Sequence, residues 1–162
     1  MGVDQRTCGR ISLTDHRLML HDMMAGLKNI TARPGQNIIL TCKTLQNDKT
    51  ITLEWSRPDL GEEYVFLYRI YNAHQEDQHE CFRDRVFLQD IQMTSGDLSV
   101  ILKNMTLNDN GRYECKIKQE NDPPGELRLI CVIHLLVSPA GEESVVFVWI
   151  RAEAASCCLM SE

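Results

Sequence analysis

Cys42, Trp55 and Cys115, with Asp109, Gly111 and Tyr113 leading into the second cysteine, constrain the fold of this chain more than any other feature. Each lies in or beside a short run that alternates apolar and polar residues. Ile38, Leu40 and Cys42 share one parity, as do Ile51, Leu53 and Trp55 against Thr52, Glu54 and Ser56. Leu98, Val100 and Leu102 repeat the period, and Tyr113, Cys115 and Ile117 alternate with Arg112, Glu114, Lys116 and Lys118. Leu129, Cys131, Ile133, Leu135 and Val137 form a last and longer set. Successive side chains of an extended strand point to opposite sides, so such runs are half-buried strands with one dry face and one wet face. Turn signals separate them: Pro34-Gly35, Asn47-Asp48, Pro58 to Gly61, Ser95-Gly96-Asp97, Asn110-Gly111 and Pro123-Pro124-Gly125. No helical stripe of useful length lies between Leu27 and Val137. The chain is all-β.

These residues, in this order and spacing, resemble an immunoglobulin variable-type domain over residues 27–138. The resemblance implies a β-sandwich of two antiparallel sheets in Greek-key order. Cys42 stands at the strand B cysteine, Trp55 at the strand C tryptophan, and Asp109-Asn110-Gly111-Arg112-Tyr113-Glu114-Cys115 at the run into strand F. By that likeness Cys42 bonds to Cys115, Tyr113 makes the tyrosine corner, and Arg85 pairs with Asp109. A bond closing so long a loop disfavours the unfolded ensemble by roughly 4 kcal/mol on the chain-entropy model. It also implies an oxidising compartment. Tyr64 to Tyr71 suits strand C′, and the polar stretch from Asn72 to Glu80 suits a turn and a weak edge strand. The wording of Tyr64 to Arg69, Gly96 to Asn104 and Ile133 to Leu135 is similar to butyrophilin-like and adhesion-receptor surface proteins. Leu127 to Val137 contains no glycine, so the Phe-Gly-x-Gly joining segment of a rearranged antigen receptor is absent.

With 162 residues, the chain suits one domain of this size flanked by residues 1–26 and 139–162. A net charge of −6 gives no basic face for nucleic acid. Residues 1–26 do not read as a signal peptide, because His21 and Asp22 interrupt the apolar stretch at Met19-Leu20. Ser144 to Ile150 is far too short to span a bilayer before Arg151. A fold of oxidising compartments without a secretion route implies a fragment or a flawed gene model that lacks leader and anchor. Both flanks are then expected to be poorly ordered or wrongly translated.

The remaining cysteines are Cys8, Cys81, Cys131, Cys157 and Cys158. Cys131, on the inward parity of the last strand, reads as a buried thiol acting as a small hydrophobe. A second bond from Cys81 to a cysteine of the flanks stays open, subject to geometry. His74, His79 and Cys81 lack the spacing of a zinc site, so no metal or other cofactor is expected. Ser95-Gly96-Asp97 is a turn and not a nucleophile elbow, and the adjacent pairs Glu62-Glu63 and Glu142-Glu143 point to opposite sides of extended chain. No catalytic set is present. Asn29-Ile30-Thr31 and Asn104-Met105-Thr106 are glycosylation acceptors in a secreted protein.

Two surfaces are open for binding. One is the loop end: Thr44 to Thr50, Asn72 to Gln78 and Gln119 to Glu126. The other is the outer face of the G-F-C-C′ sheet, with Glu54, Ser56, Tyr64, Phe66, Tyr68, Glu114, Lys116, Lys118, Val132, His134 and Leu136 as candidates. Within the aromatic run the outward set is either Tyr64, Phe66, Tyr68 and Ile70, or Val65, Leu67, Arg69 and Tyr71. The resemblance implies a non-enzymatic domain outside the plasma membrane that binds another surface protein, such as an immunoglobulin-superfamily counter-receptor, and modulates lymphocyte signalling. The alternative is an adhesion molecule whose G-F-C-C′ face pairs with itself or a close relative. In that case the domain forms weak homodimers. Nucleic acid is not a partner.

Overall fold

Period-two runs can hide their apolar sides only by stacking sheets, and the computed structural model, which describes residues 26–46 and 48–139, does this with two. The strands are β1 (Leu27–Ala32), β2 (Ile38–Leu40), β3 (Thr50–Ser56), β4 (Tyr64–Arg69), β5 (Asn72–Ala73), β6 (Val86–Leu88), β7 (Val100–Leu102), β8 (Gly111–Gln119) and β9 (Arg128–Val137). One sheet has the order β1-β9-β8-β3-β4-β5 and the other β2-β7-β6. β1 runs parallel to β9, and every other pairing is antiparallel. The flanks expected to be poorly ordered, with Cys8, Cys157 and Cys158, lie outside the described residues.

The core follows the inward parity. Leu40, Cys42, Leu53, Trp55, Leu98, Val100, Leu102, Tyr113, Cys115, Ile117 and Ile133 are fully buried. The Trp55 indole donates its N–H to the Leu98 carbonyl at 3.0 Å, so its polar atom is satisfied where it is buried. At the other end of β8 the Tyr113 hydroxyl donates to the Asp109 carbonyl at 2.7 Å. Asp109 is fully buried and receives Arg85 Nη1 at 3.2 Å, Arg85 Nη2 at 2.5 Å and the Thr106 amide at 2.8 Å. The Arg85 guanidinium also donates to the carbonyls of Cys81, Lys103 and Asn104, which ties β6 to the turn before β8. Gly111 has φ +154, and a Cβ there would stand 3.0 Å from the guanidinium of buried Arg57. Sequence reading gave Arg57 no role. It is held by Asp59 and the Asn108 carbonyl beneath the Tyr113 ring.

The aromatic run is shorter as a strand than expected. β4 ends at Arg69, Ile70 and Tyr71 make a two-residue turn, and the edge strand β5 is only two residues. Trp55 pairs with Phe66 and Leu53 with Tyr68, so Phe66 and Tyr68 take the inward parity of the tryptophan. Phe66 is core, and Tyr68 is half-buried against it.

Candidate protein-binding surfaces

The outer face of the larger sheet is built on rows set by strand register. Leu67, Glu54 and Lys116 form one row, and Ser56, Glu114 and Val132 the next. Leu67 and Val132 are buried, so apolar side chains floor this face and charges crown it. Phe66 therefore leaves the candidate set, because its partner Trp55 turns it into the core, and Val132 offers no exposed surface. The Glu114 carboxylate takes Arg112 at 3.0 Å and Lys116 at 3.1 Å, a largely self-satisfied network. Tyr64 is half-buried with the Arg69 guanidinium 5.8 Å from its ring, and Leu136 is exposed near the β9 end. His134 is half-buried between Arg112 of β8 and Asn29 of β1. Lys118 pairs across to Thr52.

Burial pushes the Glu54 carboxyl upward, and Glu114 adds to this, while Lys116 and Arg69 act in the opposite sense. A carboxyl raised in the fold favours folding only while protonated. That contribution is intact below the unfolded carboxylate range and disappears as pH rises through the raised value. Glu54→Gln is accordingly expected to stabilise the domain at neutral pH by a few tenths of a kcal/mol, since half-exposed charges are screened. Paired thermal melts at neutral pH and near pH 4, the ordinary carboxylate range, check this, with the advantage shrinking in acid.

The loop end has a different chemistry. Gln119 is buried, and its side-chain amide donates to the carbonyls of Gln46 at 3.3 Å and Asp48 at 2.7 Å. Its own amide N–H donates to Asp122, and Arg128 donates to its side-chain oxygen at 2.7 Å. One glutamine thus laces the loop before β3 to the loop between β8 and β9. Beside them, Met93 and Ser95 adopt left-handed backbone, and a Cβ on Gly96 would lie 2.3 Å from the Thr44 carbonyl, so only glycine fits there. A groove lined by Lys49, Tyr68, Tyr71 and Met93 separates these loops from the β4–β5 turn.

That turn is the feature sequence reading missed. Ile70 and Tyr71 both have positive φ, +48 and +69, in a two-residue hairpin turn that normally selects asparagine or glycine. Ile70 is 76 % exposed, Tyr71 is half-exposed under the Lys49 ammonium, and Leu45 in the loop before β3 is fully exposed. A β-branched side chain forced into left-handed backbone stores about 1–3 kcal/mol of strain. The pair lay inside an apolar run and read as strand. Neither central position of the bend is a glycine or an asparagine.

Three cysteines meet in the core. Cys42, Cys115 and Cys131 are all buried free thiols, with each sulfur within 4.8 Å of the other two. Cys131 lies directly across from Cys115 on β9 and shares the pocket of the Cys42–Cys115 pair that the resemblance implies. Cys81 is disulfide-bonded. His74 instead meets Glu76 at 2.9 Å, and His79 lies 3.7 Å from Glu63 and accepts the Cys81 amide. Asn29 and Asn104 are both exposed, the latter with left-handed backbone in the turn before β8.

A sandwich with strand order A′-G-F-C-C′-C″ against B-E-D is a variable-type immunoglobulin domain. Residues 27–138 match the family model for the immunoglobulin V-set domain, and the chain belongs to that family of non-enzymatic binding domains. It is 25 % identical over 115 residues to rat T-cell surface protein tactile, covering 71 % of this chain and 18 % of that protein. It is 29 % identical over 112 residues to human junctional adhesion molecule B, covering 68 % and 33 %. The structure of bovine butyrophilin superposes with a TM-score of 0.58 at 23 % identity, covering 69 % and 51 %. The chain spans a third or less of the length of these two curated relatives. Among the described residues no helix is long and apolar enough to cross a membrane.

Proposed function

We propose that this domain is the extracellular recognition module of a cell-surface immunoglobulin-superfamily protein, docking through its loop end onto another surface protein. The observation that carries this reading is the strained, solvent-exposed Ile70–Tyr71 tip, with Leu45 also exposed in the loop before β3. Exposed apolar anchors on a rigid frame are what interfaces concentrate, and backbone strain is retained where a site needs it. The outer sheet face supports it less, because its apolar residues are covered and its charges already pair with one another. In this reading the partner is an immunoglobulin-superfamily counter-receptor, and engagement modulates lymphocyte signalling at the outer side of the plasma membrane. The likeness to a T-cell surface protein supports that step.

Ile70→Gly separates stability from binding. Glycine adopts the left-handed turn freely, so melting should hold or rise by the equivalent of about 1 kcal/mol. Binding of fluorescent tetramers of the chain to cells displaying individual immunoglobulin-superfamily ectodomains should fall at least ~10-fold, as for loss of one buried anchor. Unchanged tetramer binding would move the contact elsewhere. The likeness to a junctional adhesion molecule favours a second reading, self-pairing through the outer sheet face. Sedimentation across micromolar concentrations separates the two: reversible dimers support self-pairing, and persistent monomer supports a separate counter-receptor.

A further inference from the structure

The smaller sheet carries an apolar row on its outer side. Ile39 pairs with Ile101 and Ile101 with Phe87, so the row crosses β2, β7 and β6 at one level. These residues oppose the parity of Leu40, Val100, Leu102 and Val86, which are buried in the core. Ile39 is 44 % and Phe87 43 % exposed, and Ile101 between them is half-buried. The Lys103 ammonium stands 4.6 Å from the Phe87 ring and still leaves it open. β2 and β6 are the edges of this sheet, and apolar edges are surfaces that proteins cover or charge. A second copy is a poor cover. The strands have three residues each, and three partly exposed side chains fall well short of the roughly 800 Å² per partner that a stable interface buries.

A better occupant would be attached at the end of the row. Asn104 follows Ile101 by three residues, about 10 Å of extended chain. It shares the parity of buried Val100 and Leu102 yet is exposed, because left-handed backbone with φ +54 ends the strand there. Asparagine tolerates that backbone better than most residues. Its backbone N–H donates to Asn37 Oδ1 at 2.9 Å, and its carbonyl accepts from Arg85 Nη2 at 3.0 Å. Asn37 precedes Ile39 by two residues and Arg85 precedes Phe87 by two, so Asn104 is pinned where both edge strands begin. Its own side-chain amide makes no hydrogen bond among the described residues. By contrast, Asn110 Nδ2 is committed to the carbonyls of Leu107 and Val137. A group linked to Asn104 Nδ2 therefore displaces no contact of the fold.

We propose that Asn104, in the acceptor triplet Asn104-Met105-Thr106, carries an N-linked glycan whose first sugars lie along the Ile39–Ile101–Phe87 row. The donor is a polyprenyl-diphosphate oligosaccharide. Asn104 Nδ2 bonds to the anomeric carbon of its first sugar, and the bond from that carbon to the diphosphate oxygen breaks. The diphosphate leaves with the proton that Nδ2 gives up, and nothing is oxidised or reduced. The C–H faces of the sugars suit the Phe87 ring and the two isoleucines, while their hydroxyls stay in water. So covered, the smaller sheet is closed to protein partners, and contact is left to the loop end and the larger sheet. The proposal rests on the extracellular reading only for passage through the secretory compartment, and its readout needs no partner.

The full chain, secreted from cultured animal cells behind a supplied leader, is mapped by mass spectrometry and footprinted with hydroxyl radicals. Asn104 is expected to carry the glycan, and an unmodified Asn104 in the secreted chain overturns the proposal. Asn104→Asp keeps a side chain that accepts the left-handed turn and removes the acceptor. In it Phe87 and Ile39 should oxidise at least ~2-fold faster, since 43 % and 44 % of them are open once the bulky glycan is gone. Ile70 at the loop end should be unchanged, and Asn29→Gln should leave the Phe87 footprint as it is. Enzymatic release of the glycan from the folded wild-type chain leaves the same acidic side chain at that position. It should give the same footprint, so the result does not depend on how the variant folds. Equal oxidation of Phe87 with and without the glycan overturns the proposal, as does shading of Ile70 as large as that of Phe87. Phe87 protection that persists in Asn104→Asp and grows with protein concentration also overturns it, and assigns the row to a second copy.

Discussion

Trp55→Ala is expected to lower stability by roughly 3–5 kcal/mol, the cost of deleting a large aromatic from a packed core. Against typical domain stabilities of about 5–15 kcal/mol, this leaves the variant marginal or unfolded at body temperature. Three losses combine. The indole is fully buried at the centre of β3, between Cys115 on β8 and Phe66 on β4, so its removal opens a cavity bounded by both neighbouring strands. The Leu98 carbonyl loses the 3.0 Å hydrogen bond from the indole in a dry site. The cysteine pocket next to it loses a wall. Urea unfolding read by circular dichroism would show the midpoint falling with little change in slope. Trp55→Phe keeps much of the volume and loses the indole hydrogen bond, so it should fall between. A Trp55→Ala chain that melts like the wild type would mean this indole does not hold the sheets together.

What could be read from the residues in order was the part of the fold written in parity. Leu40, Leu53, Trp55, Val100, Tyr113, Cys115 and Ile133 alternate with polar neighbours, and a half-buried strand leaves them one side to occupy. The Asp109 to Cys115 run carried the corner through its resemblance to the family pattern, which holds a carboxylate, a glycine and a phenol within seven residues. The aromatic strand resisted for the opposite reason. From Val65 to Tyr68 both parities are apolar, so only the pairing of Phe66 with Trp55 decides which side turns in, and pairing is a long-range fact. The turn at Ile70 and Tyr71 was illegible because those side chains disfavour the backbone they adopt. A tip that breaks local rules hides from local rules. Cys131 read correctly as a buried thiol, but its place beside Cys42 and Cys115 depends on how two sheets stack.

Arg85→Met should cost about 3–5 kcal/mol, because it strands the Asp109 carboxylate in a fully buried site. The aspartate accepts two donations from the arginine, and what remains is the Thr106 amide and hydroxyl. The carbonyls of Cys81, Lys103 and Asn104 lose donors at the same time, which loosens β6 from the turn before β8. Packing loss alone would be smaller, since the arginine side chain is itself partly exposed. Adding Asp109→Asn to Arg85→Met tests where the energy lies. The neutral amide can still accept from Thr106, so the double variant should recover part of the loss and the two substitutions should be clearly non-additive. Additive destabilisation in denaturant melts would show that the ion pair is incidental and that each residue acts through its own packing.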